Sequence, residues 1–173
     1  MFETVFGLPA HPLIVHAPIV FIPLLILAAV VYALAPFLRA RIRWAVTLLA
    51  FVAPLSALLA KLSGDAFRAR SAARGMAADG LAKIDAHRTL GTTTVWVAAA
   101  LGVVTLLLIV ATMDRRPAPR RATTEGTAAA SGGSAATGIR VVLIVVTIGL
   151  ASASGYYLFK TGDSGARMEW TGR

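Results

Sequence analysis

Only three histidines occur in the chain, His11, His16 and His87, and each stands at the edge of a long apolar run. An imidazole in such a place can ligate iron, copper or zinc, carry a proton, or hydrogen-bond a free carbonyl. Cysteine is absent, which excludes disulfides, thiolate metal sites and Cys-attached haem. No Ser-His-Asp arrangement, P-loop or dinucleotide fingerprint accompanies the histidines, so no residue is assigned a catalytic role. Asp65, Asp85 and Asp163 are the oxygen donors that a non-haem metal could share with them. No HxxxH or HExxH spacing favours that option.

The elements that must position these side chains are membrane helices. Hydrophobic residues form 57% of the 173 and charged residues 14%, against about 25% charged in soluble domains. A helix crosses a bilayer with about 20 apolar residues, and four runs are that long: about 12–38, 44–62, 87–113 and 139–160. The expectation is an all-α fold, a four-helix transmembrane bundle forming a single membrane domain over 1–173. Pro12 suits a first helical turn, whereas Pro18 and Pro23 should bend the first span. Residues 66–86 read as a polar connection in which the third helix starts before the membrane does. Residues 114–138, Arg/Pro-rich and then Ala/Thr/Ser/Gly-rich, read as a flexible linker.

The net charge of +9 could suggest nucleic acid, but the basic residues cluster beside apolar runs, as topology signals and lipid-headgroup contacts do. No nucleic acid is expected; the lipid bilayer is. Arg39, Arg41 and Arg43 share a side with Arg115, Arg116, Arg120 and Arg121. The positive-inside rule assigns that side to the cytoplasm and leaves both termini outside, although the 66–86 stretch carries basic residues of its own. The N-terminus has no basic segment before its apolar run, so no cleaved signal peptide is expected. With no Asp, Glu, Lys or Arg embedded in the interior of any span, an ion-coupled transporter is disfavoured, and a small-solute permease, lacking polar pore-lining residues beyond Thr and Ser, is the least favoured function.

Helix geometry orders the histidines. His16 falls at about the hydrocarbon boundary, with His11 about 7 Å further out and about 140° around the helix. The two should therefore hold separate positions, and a shared ligand needs a partner across the bundle, His16 or His11 with His87. Two imidazoles from facing helices can be the axial ligands of a haem b. His16 and His87 are the lead pair and His11 the third candidate, with Gly64, Gly91 and Gly162 giving a macrocycle room. A transition metal on His11, His16 and His87 with Asp65 or Asp85 is the alternative. The plain reading is structural: an interfacial histidine can cap a helix or satisfy a carbonyl freed by proline.

A repeat is also visible. The second and fourth spans end alike, Lys61-Leu-Ser-Gly-Asp65 and Lys160-Thr-Gly-Asp163, and the first and third begin at histidines. Helix pairs one–two and three–four then form two copies of one unit, related by an axis along the membrane normal.

The element His11-Pro-Leu-Ile-Val-His16-Ala-Pro18, with Ser63-Gly64 and with His87 and Gly91, resembles a bacterial membrane family known as domain of unknown function 2231. The resemblance runs from about residue 6 to the end of the fourth span, omitting 114–138. It implies a multi-pass protein of the bacterial inner membrane without an established activity. Some relatives are joined to Rieske-type or c-type haem modules, which implies redox surroundings and, for this chain, a separate redox partner at the outer face. Two functions follow: a haem or metal protein for electron transfer, or a non-catalytic scaffold or accessory subunit. The oligomeric state stays open.

Overall fold

The computed structural model describes residues 4–5, 8–113 and 131–170. Two antiparallel two-residue strands, β1 (Thr4–Val5) and β2 (Leu8–Pro9), precede helix α1 (Ala10–Ile14) and helix α2 (His16–Leu34). A single 3-10 turn, Pro36–Leu38, leads into α3 (Arg39–Ala73); α4 (Ala78–Thr112) and α5 (Ser131–Trp170) follow. Among the described residues four stretches are long and apolar enough to cross a membrane: Ala10–Leu34, Pro36–Ala73, Ala78–Thr112 and Ala135–Met168. They pack in a ring, α2 on α3, α3 on α4, α4 on α5 and α5 back on α2, with α2 and α4 also approaching across the diagonal. The architecture is an all-α four-helix membrane bundle.

The first span is interrupted where its sequence requires it. Pro18 has no N–H to give the carbonyl four residues back, and its ring crowds that group. The residue four back is Ile14, where α1 ends.

Elsewhere the core mixes small residues with large ones such as Ile22, Leu25, Tyr32 and Leu101, and the outer surface is large and apolar. Leu27, Phe37, Phe51, Val110 and Phe159 are exposed, while Ala53, Ala98 and Ala151 are buried. Water would not tolerate so continuous an apolar surface; lipid does, and small residues let the helix backbones approach. The closest approach joins α3 to α4: a Cβ built on Gly102 would stand 2.5 Å from the carbonyl oxygen of Ala50. That carbonyl lacks its usual helical donor because position 54 is proline, and a Cα–H of Gly102 fills the place.

At 35 residues each, α3 and α4 are about 52 Å long, well beyond a hydrocarbon core of about 30 Å. They continue past the bilayer as a helical hairpin. Its turn is closed by Gly75 at φ 78°, with the Met76 N–H donating to Ser71 O (3.1 Å) and the Gly75 N–H to Ala72 O (3.0 Å). The stretch 66–86, expected as a polar connection, is therefore helical on both sides of a four-residue turn. Arg68 of one helix and Asp85 of the other pair across it at 2.9 Å. Residues 131–138 of the expected linker belong to α5, and 114–130 lie outside the described residues.

The two helix pairs repeat one register. An offset of 76 residues (His11 to His87) carries the six buried residues of α2, namely Pro18, Ile22, Leu25, Ala29, Tyr32 and Ala33, onto Thr94, Ala98, Leu101, Thr105, Leu108 and Ile109. All six are buried in α4. An offset of 101 (Ser63 to Ser164) carries Val46, Ala50 and Ala53 onto Thr147, Ala151 and Ser154, again all buried. Arg39 and Arg140 stand at the same offset and act alike. Arg39 donates from Nε to Tyr32 O and from Nη2 to Ala33 O, both 2.9 Å; Arg140 donates from Nε to Ala111 O at 2.9 Å. Each arginine satisfies last-turn carbonyls of the preceding helix, at the negative end of that helix dipole; Arg39 is the first residue of α3, while Arg140 lies within α5.

Candidate functional site

At the end of the bundle opposite these arginines, the same construction is made twice. On α1, His11 Nδ1 lies 3.1 Å from Ala60 O and 3.0 Å from Ser63 Oγ, while the Ser63 hydroxyl donates to Ala60 O at 2.8 Å. On α4, His87 Nδ1 lies 2.7 Å from Ser164 Oγ, whose hydroxyl donates to Thr161 O at 2.8 Å. The Ala60 carbonyl can only accept, so Nδ1 is the protonated nitrogen of His11 and its Nε2 carries a lone pair. At His87 the Ser164 hydroxyl can accept from Nδ1 or donate to it. Among the described residues neither Nε2 has a polar partner.

A glycine next to each serine makes room for the ring. A Cβ at Gly64 would stand 3.1 Å from His11 Cε1, and one at Gly165 3.2 Å from His87 Cε1. The unit is thus His on the first helix of a pair and Ser-Gly on the second, His11 with Ser63-Gly64 and His87 with Ser164-Gly165. The end-motif match expected at Lys160-Thr161-Gly162-Asp163 is three residues out of register. Gly162 is exposed with nothing within 4 Å of a Cβ, and Thr161 occupies the place of Ala60. The Ser-Gly dipeptide at 164–165 was the signal to follow.

The two units meet. The ring centroids of His11 and His87 are 6.3 Å apart with planes at 80°, and Phe67 stacks on His11 at 6.3 Å and 28°. Two imidazoles bound to one ion from opposite sides, each bond about 2.0 Å long, have centroids about 6 Å apart. The observed separation matches that spacing.

His16 is not part of this group. It is exposed on α2, and the 76-residue offset places it at the position of Thr92, on the outer surface. Of the three histidines the structure brings His11 and His87 together and leaves His16, expected in the lead pair, apart from them. The physical reason is that helical structure begins at Ala10 and α4 begins nine residues before His87. The outermost histidine of the first span is thus the one level with His87.

The carboxylates expected as metal donors are occupied. Asp65 receives Lys61 Nζ at 2.7 Å and Arg88 Nη2 at 2.7 Å; Asp85 receives Arg68 Nη2 at 2.9 Å and Arg88 Nη1 at 3.0 Å. Asp163 is bound to Arg167 at 2.9 Å. Among the described residues no group of three or more His, Asp or Glu could hold a metal ion. Of the glycines expected to admit a macrocycle, Gly64 touches a histidine, while Gly91 meets only Thr161 and Gly162 nothing.

A ring of four spanning helices, formed from a helix pair used twice and carrying a doubled histidine unit at one end, defines an integral membrane protein of the four-helix class. Residues 7–173 match the family described as "Predicted membrane protein (DUF2231)", and the chain belongs to it. No curated protein and no solved structure matches the chain.

Proposed function

We propose that the chain is a membrane electron-transfer protein whose centre is one iron or copper ion ligated by Nε2 of His11 and Nε2 of His87. The observation that carries this reading is the duplicated anchoring: both imidazoles have Nδ1 held against a serine whose hydroxyl bonds a helix carbonyl, and neither Nε2 has a polar partner among the described residues. Metal-ligating histidines are oriented in this way by second-shell acceptors. Bound there, iron or copper would supply reversible one-electron chemistry. The protein's own part is to hold both rings in one tautomer, to keep their Nε2 lone pairs available, and to screen the site with Phe67 and the surrounding helices.

The same ligation serves a bare ion or the iron of haem b. The ring spacing suits either. Under the positive-inside reading, the histidine end faces outward from a bacterial inner membrane, and electrons would pass to a separate redox partner there. A scaffold reading rests on a different feature of the same site. The His11–Ser63 and His87–Ser164 bonds join α1 to α3 and α4 to α5, and would tighten the bundle with no ion bound.

The test is the visible spectrum and metal content of detergent-purified protein, expressed once with haem precursor and once with added copper or iron. A Soret band identifies haem b, and about one ion per chain without it identifies the bare metal. Neither signal removes electron transfer and leaves the scaffold.

A further inference from the structure

On the outer face of the α3–α4 seam, a charged pocket sits directly above an apolar groove. The pocket, about 550 Å³, is lined by Arg68, Asp85, Arg88, Thr89 and Thr92. The groove, about 290 Å³, runs below it between Leu55 and Leu58 of α3 and Val95 and Trp96 of α4, with Lys61 at its upper rim. Lys61 and Arg88 both bind Asp65, so the rim of one cavity is tied to the wall of the other. The lining positions 85, 88, 92 and 96 recur every three or four residues and so form one stripe down α4.

The charges of this seam do not cancel. Lys61, Arg68 and Arg88 face Asp65 and Asp85, which leaves one positive charge at the level where the helices leave the apolar zone. The cluster is also not something the bundle needs in order to pack. On the repeat-related α5–α2 seam the positions of Lys61 and Asp65 are taken by Gly162 and Ala166, and that of Arg88 by Pro12. One seam carries the charges and its counterpart folds without them.

We propose that this seam is a binding site for a single anionic phospholipid. Its phosphate is held by Lys61 and Arg68, and one acyl chain lies in the groove along Trp96. The charge excess selects the headgroup, and the groove beneath it takes the chain. Trp96, 70% exposed at this seam, is a built-in reporter.

The experiment uses the full chain with Trp44→Phe and Trp170→Phe, leaving Trp96 as the single tryptophan, in vesicles of phosphatidylcholine containing a minority of phosphatidylglycerol. Brominated acyl chains are placed on one lipid or the other, and quenching of Trp96 reports which lipid occupies the groove. The expected result is enrichment of phosphatidylglycerol over its bulk fraction by about fivefold. That enrichment should be lost in K61Q and R68Q and should weaken with added sodium chloride in the unsubstituted seam. Quenching in proportion to bulk composition overturns the proposal, and so does enrichment that is indifferent to both salt and the two substitutions. Displacement by inorganic phosphate, beyond that of chloride at equal ionic strength, would make the ligand a free anion and likewise overturn it.

Discussion

Three glycines near the histidine end separate the two possible registers of the repeat, because adding one methyl to each has a different consequence. In Gly64→Ala the new Cβ would lie 3.1 Å from His11 Cε1 and 3.4 Å from Nδ1. The ring must retreat by about 0.3 Å, which stretches Nδ1 bonds now at 3.0 and 3.1 Å beyond the usual upper limit of about 3.2 Å. Each bond contributes about 1 kcal/mol net. Against that loss stands a gain of about 1 kcal/mol from replacing glycine inside a helix. The net loss of stability is therefore small, about 1 kcal/mol. The loss at the centre is larger, because disturbing an outer partner of a ligating histidine lowers metal affinity about 10-fold or more. Gly165→Ala, at 3.2 Å from His87 Cε1, should behave in the same way. Gly162→Ala meets nothing within 4 Å and should gain about 1 kcal/mol with occupancy unchanged. Thermal unfolding in detergent reads the stability, and equilibrium metal or haem titration reads the affinity. If G162A harms binding while G165A does not, the 101-residue register is wrong. If all three bind alike, the glycines do not cradle ligands.

Gly102→Ala forces a methyl to within 2.5 Å of a backbone oxygen that no side-chain rotation can move. It should separate α3 from α4 and cost about 1–3 kcal/mol, measured by thermal unfolding; an unchanged midpoint would mean that the two helices do not pack this closely. Ser154 has a buried hydroxyl with no partner among the described residues, and its repeat counterpart is Ala53. Ser154→Ala should therefore stabilise the bundle by about 1 kcal/mol, whereas a loss would show that the hydroxyl has an unseen partner such as water. Ser63→Ala removes one of the two acceptors of His11 Nδ1–H but leaves Ala60 O. It should cost about 1 kcal/mol and weaken binding about 10-fold, and a larger loss is expected for Ser164→Ala, whose hydroxyl is the one side-chain partner of His87 Nδ1 among the described residues.

Four spans could be read from the sequence because apolar length alone determines what crosses a bilayer, and Pro12–Leu38 or Leu90–Met113 need no tertiary information. Where the helices end was less legible. Arg68 and Asp85 fall in the stretch that reads as a polar connection; both are helical, and they pair across α3 and α4 where these run side by side past the membrane. The Ser131–Gly138 stretch looks equally unfit for a helix, yet α5 includes it, and we have no physical account of why.

At the site, His11 and His16 do hold separate positions: one is half-buried on α1 and the other exposed on α2. Which of them faces His87 depends on where each helix begins, and that is decided by packing rather than by composition. The repeat was visible but misplaced by three residues, because Thr-Gly-Asp at 161–163 imitates Ser-Gly-Asp at 63–65 more closely than does the Ser164-Gly165 that performs its role.

The claim that His11 and His87 share one occupant is tested most directly by three single substitutions in protein that has been loaded and purified. Replacing His11 or His87 by alanine should abolish the Soret band or the bound metal, and each should do so alone. His16→Ala should leave spectrum and stoichiometry unchanged. Loss of the centre in H16A, or its survival in both H11A and H87A, would contradict the account.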